Sequence, residues 1–184
     1  MIDKTPQERL KEEQAYKEHI HHTKINAAAI ADHLLGNMHT LHAKLHQYHW
    51  YVQGPHFYTL HEIFEDLYNE NEKWFDRLAE RLLSSGFKPA STTKELSEYS
   101  MLSENPADKY ISAEEMVENI VDDFRETREL TIRAIHLTQE EGDDAFEDML
   151  IGYKDSLDTK IWMLQAFIGK EALEDDDYHD EDED

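Results

Sequence analysis

The chain has no cysteine among its 184 residues, which excludes disulfides, thiolate metal sites and cysteine nucleophiles. That absence suits a reducing compartment, and a cytoplasmic location is the expectation. Glycine and proline are scarce, six and four in all, and they fall between long periodic segments. No alternating strand pattern occurs. No apolar run is long enough to span a membrane, and Met1–Lys11 lacks the apolar core of an export signal, so the chain is expected to be soluble and unexported. Basic residues are few: 18 Lys and Arg stand against 42 Asp and Glu, a formal charge of −24. The segment Leu173–Asp184 holds nine of those acids and no Lys or Arg, which leaves −15 on the rest. A surface of this kind repels nucleic-acid phosphates and attracts cations.

What the chain does contain is helical periodicity. Thr5–His22 is a polar arm with helical character. From Ile25 to Val52, the residues Met38, Leu41, Leu45, Tyr48 and Val52 recur at 3-4-3-4 spacing, one face of a helix. Gly54-Pro55 ends that segment. Thr59–Ser84 carries a second stripe, Leu60, Ile63, Leu67, Trp74, Leu78 and Leu82, and Thr59 with Glu62 reads as its capping box. Gly86–Ala107 is a connection in which Thr92 and Glu95 mark a short helix through Leu96. Ser112 with Glu115 opens a third long helix, to about Glu141, with Val117, Val121, Phe124, Thr131 and Ile135 inward and Arg128 interrupting the stripe. After Gly142 the last helix runs to Phe167 with Leu150, Tyr153, Leu157, Ile161, Leu164 and Ile168 inward. Four helices of about 25 to 30 residues, roughly 40 Å each, predict an all-α four-helix bundle with a long crossover between its second and third helices. The organisation is therefore 1–24 arm, 25–172 bundle and 173–184 acidic tail.

Twelve histidines accompany the carboxylates, a nitrogen and oxygen ligand set without sulfur that suits iron, zinc or manganese. On the second bundle helix His61 and Glu65 form one i,i+4 pair and Asp76 and Glu80 another, all within a sector of about 100°. His61 and Asp76 are fifteen residues apart, roughly 22 Å along the axis. One chain cannot hold one ion with both pairs. Two antiparallel copies related by a two-fold axis crossing near Glu70-Asn71 bring His61/Glu65 of one against Asp76/Glu80 of the other. His42, His46 and His49 each follow a core residue by one position and lie on the bundle flank, where another subunit can pack. A lone histidine there is ordinary solvated surface; the regular constellation points to a metal site shared between subunits. An internal di-iron bundle needs a Glu-x-x-His element on two helices, and only Glu18–His21, in the arm, has that spacing. His19, His21 and His22 beside Glu18 read first as a disordered histidine-rich stretch and second as a supplementary metal site.

The run His49-Trp50-Tyr51-Val52-Gln53-Gly54, followed by Phe57, His61, Glu65, Asp76 and Ala79-Glu80-Arg81, resembles the signature of the Dps family, the mini-ferritins or DNA-binding proteins from starved cells. The similarity extends to Trp162 and Phe167 in the last helix. The resemblance implies a ferritin-like bundle assembled as a hollow dodecamer that oxidises Fe(II), preferably with hydrogen peroxide over O2, stores the ferric mineral and protects against oxidative damage. It implies a two-iron ferroxidase centre on the subunit two-fold, with His49, His61 and Glu65 from one subunit and Asp76 and Glu80 from its partner; zinc or manganese are possible substitutes. Many members carry aspartate at the position of Glu65, a difference of reach rather than of ligand type. Trp50 beside the site is expected to intercept stray oxidising equivalents or simply to pack at an interface. Glu62 and Asp66 resemble cavity-lining acids that seed mineral, and Asp144 and Asp148 resemble acids of the three-fold channels admitting Fe(II). Gln139 stands where relatives can carry another channel aspartate. Ordinary surface acids, and acids stabilising a helix N-terminus, are the plainer readings of these four.

Two other functions compete. DNA compaction needs a Lys/Arg-rich flexible tail; the arm is near neutral and the C-terminal segment acidic, so DNA binding is not expected. A non-catalytic zinc or cation-binding shell uses the same ligands and differs only in failing to accelerate Fe(II) oxidation.

Overall fold

The computed structural model describes residues 4–23 and 25–176, with the side chains of 21–23 left out. Six α-helices follow one another: α1 (Pro6–Thr23), α2 (Ala27–Tyr51), α3 (Phe57–Ser84), α4 (Thr93–Tyr99), α5 (Ala113–Glu141) and α6 (Asp144–Phe167), with a 3-10 turn at Pro106–Tyr110. The described residues contain no strand, and none of their helices is long and apolar enough to cross a membrane. The four long helices form the bundle, α2 packing along α3 and α5, and α5 along α6. The crossover between α3 and α5 carries α4, as the spacing predicts.

Local chemistry explains most boundaries. The Asn26 side chain accepts from the Ala29 amide, and capping boxes form at Thr92/Glu95 and Ser112/Glu115, each satisfying amides that the first helical turn leaves without partners. Gly142 ends α5 at φ 69°, a conformation that costs a residue with a Cβ more than glycine. The expected Thr59/Glu62 box does not form. The turn at Gly54-Pro55 already winds the chain, with the Phe57 amide on the Gly54 carbonyl and the Leu60 amide on that of His56. Helix α3 therefore begins at Phe57, and its N-cap, His56, makes no side-chain cap bond.

The predicted stripes form one core. Met38, Leu41, Leu45, Tyr48, Val52, Leu60, Leu67, Leu78, Leu82, Val117, Val121, Phe124, Ile135, Leu150, Tyr153, Leu157, Ile161 and Leu164 are buried, and Ile63, Trp74 and Ile168 pack against them. Burying one such aliphatic side chain contributes about 1.5–3 kcal/mol. Arg128 is no gap in the stripe: it is buried, with its guanidinium 2.7 Å from Asp176 and 3.5 Å from Asp158. The acidic segment thus returns to the bundle at Asp176, while residues 177–184 lie outside the described set.

Two more buried ion pairs set the relation of parts. Lys17, on the polar arm, reaches Asp32 of α2 at 3.0 Å, both side chains almost fully shielded. Arm residue Ile20 is buried in the core. The expected disordered histidine stretch is instead the end of α1: His19 sits on that helix, while the His21 and His22 side chains lie outside the described residues. Lys44 lies 2.6 Å from Asp123 between α2 and α5; burial pushes the Asp123 carboxyl up, against the pull of Lys44.

The crossover is pinned to α2 at Gly36. A Cβ there would meet the Ser100 amide nitrogen at 2.5 Å, the Leu96 carbonyl oxygen at 2.7 Å and the Tyr99 carbonyl carbon at 2.8 Å. All three are backbone atoms, so relief requires α4 to move. Gly36→Ala should therefore destabilise the protein by about 1–3 kcal/mol, despite alanine's higher helix propensity, as a lowered urea midpoint at fixed protein concentration; an unchanged or raised midpoint contradicts this packing.

Candidate metal centre

The corner between α2 and α3 carries the site. Tyr51 ends α2, the Gly54-Pro55 turn reverses the chain, and Phe57 begins α3, so His49 and His61 meet across the corner. Their rings stack with centroids 3.7 Å apart and planes 16° from parallel. Each Nδ1 lies 2.8 Å from the other residue's backbone carbonyl. A carbonyl only accepts, so both Nδ1 atoms carry the proton and donate. Both Nε2 atoms are thereby left as lone-pair ligands, held by the backbone in the manner of supported metal-binding imidazoles.

Glu65, one turn after His61 on α3, completes the set. One ligand atom from each of His49, His61 and Glu65 lies within 4.8 Å of the others. His49 is buried, His61 half-buried and Glu65 exposed, so the group opens outward from the bundle. Phe57 stacks on the outer side of His61 at 5.2 Å. Two imidazoles and a carboxylate suit a borderline cation such as Fe(II) or Zn(II).

Asp76 and Glu80 are exposed farther along α3. The structure does not bring them to the triad of the same chain, and among the described residues the triad is the only group of three such residues whose ligand atoms all lie within 4.8 Å of one another. Trp50 is two-thirds exposed beside the site, 5.4 Å from the His46 ring. Glu62 and Asp66 are exposed on α3, and Asp144 and Asp148 on the first turns of α6. The cap of α6 is Asp143, which accepts from the Phe146 amide and pairs with Arg81 of α3. Gln139 donates to Glu147 at 2.8 Å.

Tyr68 is the neighbour that residue spacing alone missed. Desolvation, with the Glu65 charge adding to it, pushes its phenol up. Its ring stacks on His46 at 3.9 Å and meets His49 edge-on at 5.5 Å. Its position three residues after Glu65, on the same helix face, was the available signal.

The ferritin family model, a ferritin-like domain, matches residues 28–173. The DNA protection during starvation protein of Listeria innocua is 40% identical over 150 residues, covering 82% of this chain and 96% of the relative. The chain belongs to the Dps family. General stress protein 20U of Bacillus subtilis is 41% identical over 135 residues, covering 73% of this chain and 92% of that one. The X-ray structure of Dps from Listeria monocytogenes superimposes with a TM-score of 0.80 at 38% identity, covering 82% of this chain and 98% of that chain. The Dps fold is thus ferritin-like, and membership brings the family's general role in iron storage and protection.

Because the Tyr68 phenol lies beside the Glu65 carboxylate and its ring meets His49 edge-on, Tyr68→Phe should weaken metal binding at the His49–His61–Glu65 group by about 10-fold with the helix content unchanged. Zinc titration of the metal-free protein measures it; equal affinity in the two proteins removes Tyr68 from the site.

Proposed function

We propose that the chain is a ferroxidase and iron store, oxidising Fe(II) with hydrogen peroxide, and more slowly with O2, at centres shared between subunits, and holding the ferric mineral in a hollow dodecamer. The observation that carries this reading is the preassembled His49–His61–Glu65 group, which opens to the surface with three candidate ligands and no fourth among the described residues of its own chain. A two-fold partner placed antiparallel along α3 supplies the missing carboxylates, the partner subunit's Asp76 and Glu80.

Iron is the substrate. His49 and His61 bind Fe(II) through Nε2 and Glu65 through its carboxylate, and the carboxylates favour the harder Fe(III) product. Three ligands per chain leave positions open for the oxidant. Hydrogen peroxide takes one electron from each of two Fe(II) ions, its O–O bond breaks, and two protons from solvent complete two waters. No hydroxyl radical is released in that stoichiometry. Exposed Trp50 takes up oxidising equivalents that escape it. Glu62 and Asp66 seed the mineral inside the shell, and Asp144 and Asp148 line the channels that admit Fe(II). Zinc or manganese can occupy the same ligands.

Binding to DNA is disfavoured by the arm itself. Lys4 is held by Glu12 at 2.6 Å and Lys17 is buried on Asp32, and twelve chains multiply a charge of −24. The cell is protected by removal of Fe(II) and peroxide rather than by coating its DNA, in the cytoplasm.

Peroxide injected into the anaerobic, Fe(II)-loaded assembly should drive rapid oxidation, consuming about one peroxide per two irons. The activity should be lost in Asp76→Ala/Glu80→Ala and in His61→Ala/Glu65→Ala. Dissociating these two inactive variants and reassembling them together should restore about a quarter of the centres, because a mixed two-fold pair contains one intact centre in two. A wild-type rate no faster than free iron overturns the ferroxidase; an active wild type with inactive mixed shells overturns the sharing.

A further inference from the structure

A second group of imidazoles lies along α2, seven residues before His49, and the ferroxidase reading leaves it unused. His42 and His46 are i,i+4 neighbours with ring centroids 4.5 Å apart. From α3, Glu72 brings a carboxylate oxygen to 3.5 Å from His42 Nδ1. That Nδ1 is shielded from solvent and makes no hydrogen bond, an uncommon state for a buried polar atom. His46 is oriented like the triad histidines: its Nδ1 donates to the His42 carbonyl at 2.8 Å, and its ring is stacked on Tyr68. Nε2 of His46 is therefore the free lone pair. Desolvation, with His46 and His39 adding to it and Glu72 opposing, holds the His42 imidazole below its ordinary value.

We propose that His42, His46 and Glu72 form a second cation site, separate from the triad, that takes a borderline divalent metal ion such as Zn(II). Two donors about 2 Å from a tetrahedral ion stand about 3.3 Å from each other, close to the 3.5 Å between His42 Nδ1 and Glu72. The ligand set of two imidazoles and one carboxylate, with no sulfur, selects the same metal class as the triad. The site differs from the triad in being completed by side-chain rotation rather than preassembled. The Glu72 and His42 side chains are 62% and 42% exposed in the single chain, so packing within their own bundle does not lock either of them. Positions 42 and 49 are roughly 10 Å apart along the helix, too far to share one ion.

Zinc titration calorimetry of the metal-free assembly tests this, with wild type, His42→Ala/Glu72→Ala, His61→Ala/Glu65→Ala and His42→Asn compared after their helix content and assembly size are matched. His42→Ala/Glu72→Ala should bind about one zinc fewer per chain and keep the triad's, while His61→Ala/Glu65→Ala keeps the second site. His42→Asn, which preserves polarity and approximate size, should lose the same zinc. Unchanged stoichiometry in the first variant, loss of all zinc in the second, or full retention in His42→Asn each overturns the proposal. The zinc count is read without iron oxidation, so a failed ferroxidase assay leaves this result intact.

Discussion

The two hydrogen bonds exchanged between His49 and His61 tie the end of α2 to the start of α3 and, by the same contacts, leave an Nε2 lone pair free on each. Backbone carbonyls are fixed once the helices are formed, so the rings acquire both an orientation and a tautomer from secondary structure. Few side-chain partners are then needed. Glu65 follows one helical turn from His61, and Tyr68 one turn from Glu65, so a single corner and two turns of α3 assemble the group. The Gly54-Pro55 reversal is what brings the two histidines into register, and Gly54, at φ 104°, occupies a conformation that a Cβ would strain.

Behind this corner the bundle tolerates unusual polarity. Lys17–Asp32, Lys44–Asp123 and Arg128–Asp176 are buried ion pairs, each joining segments far apart in sequence. Such pairs contribute little net stability compared with apolar residues of similar volume, yet removing one partner strands a buried charge at a cost of about 3–5 kcal/mol. They therefore act as registration points. One fixes the arm on α2, one fixes α2 against α5, and one fixes the end of the described chain on α5.

The bundle was legible because its core repeats at helical spacing and its caps are local: Ser112 and Glu115 need only each other. The shared helix face of His61 and Glu65, and that of Asp76 and Glu80, was legible for the same reason, since i,i+4 geometry needs no knowledge of the rest of the fold. What escaped depended on distant partners. Thr59 and Glu62 have the composition of a capping box, but the preceding Gly54-Pro55 turn had already started the helix. Arg128 looked like a flaw in a stripe because Asp176, its counterion, is 48 residues away. Lys17 looked like arm surface until α2 supplied Asp32. The proposed sharing of Asp76 and Glu80 between subunits rests on the distance along α3 within one chain, a constraint that sequence states as plainly as coordinates do.

The clasp of Asp176 by Arg128 also defines a tether. Asp176 is held by Arg128 and approached by Arg125, both on α5, so the stretch that follows α6 doubles back onto the preceding helix. A change at Arg128 would therefore be felt at both ends of the α5–α6 pair, in the core stripe and in the segment folded over it.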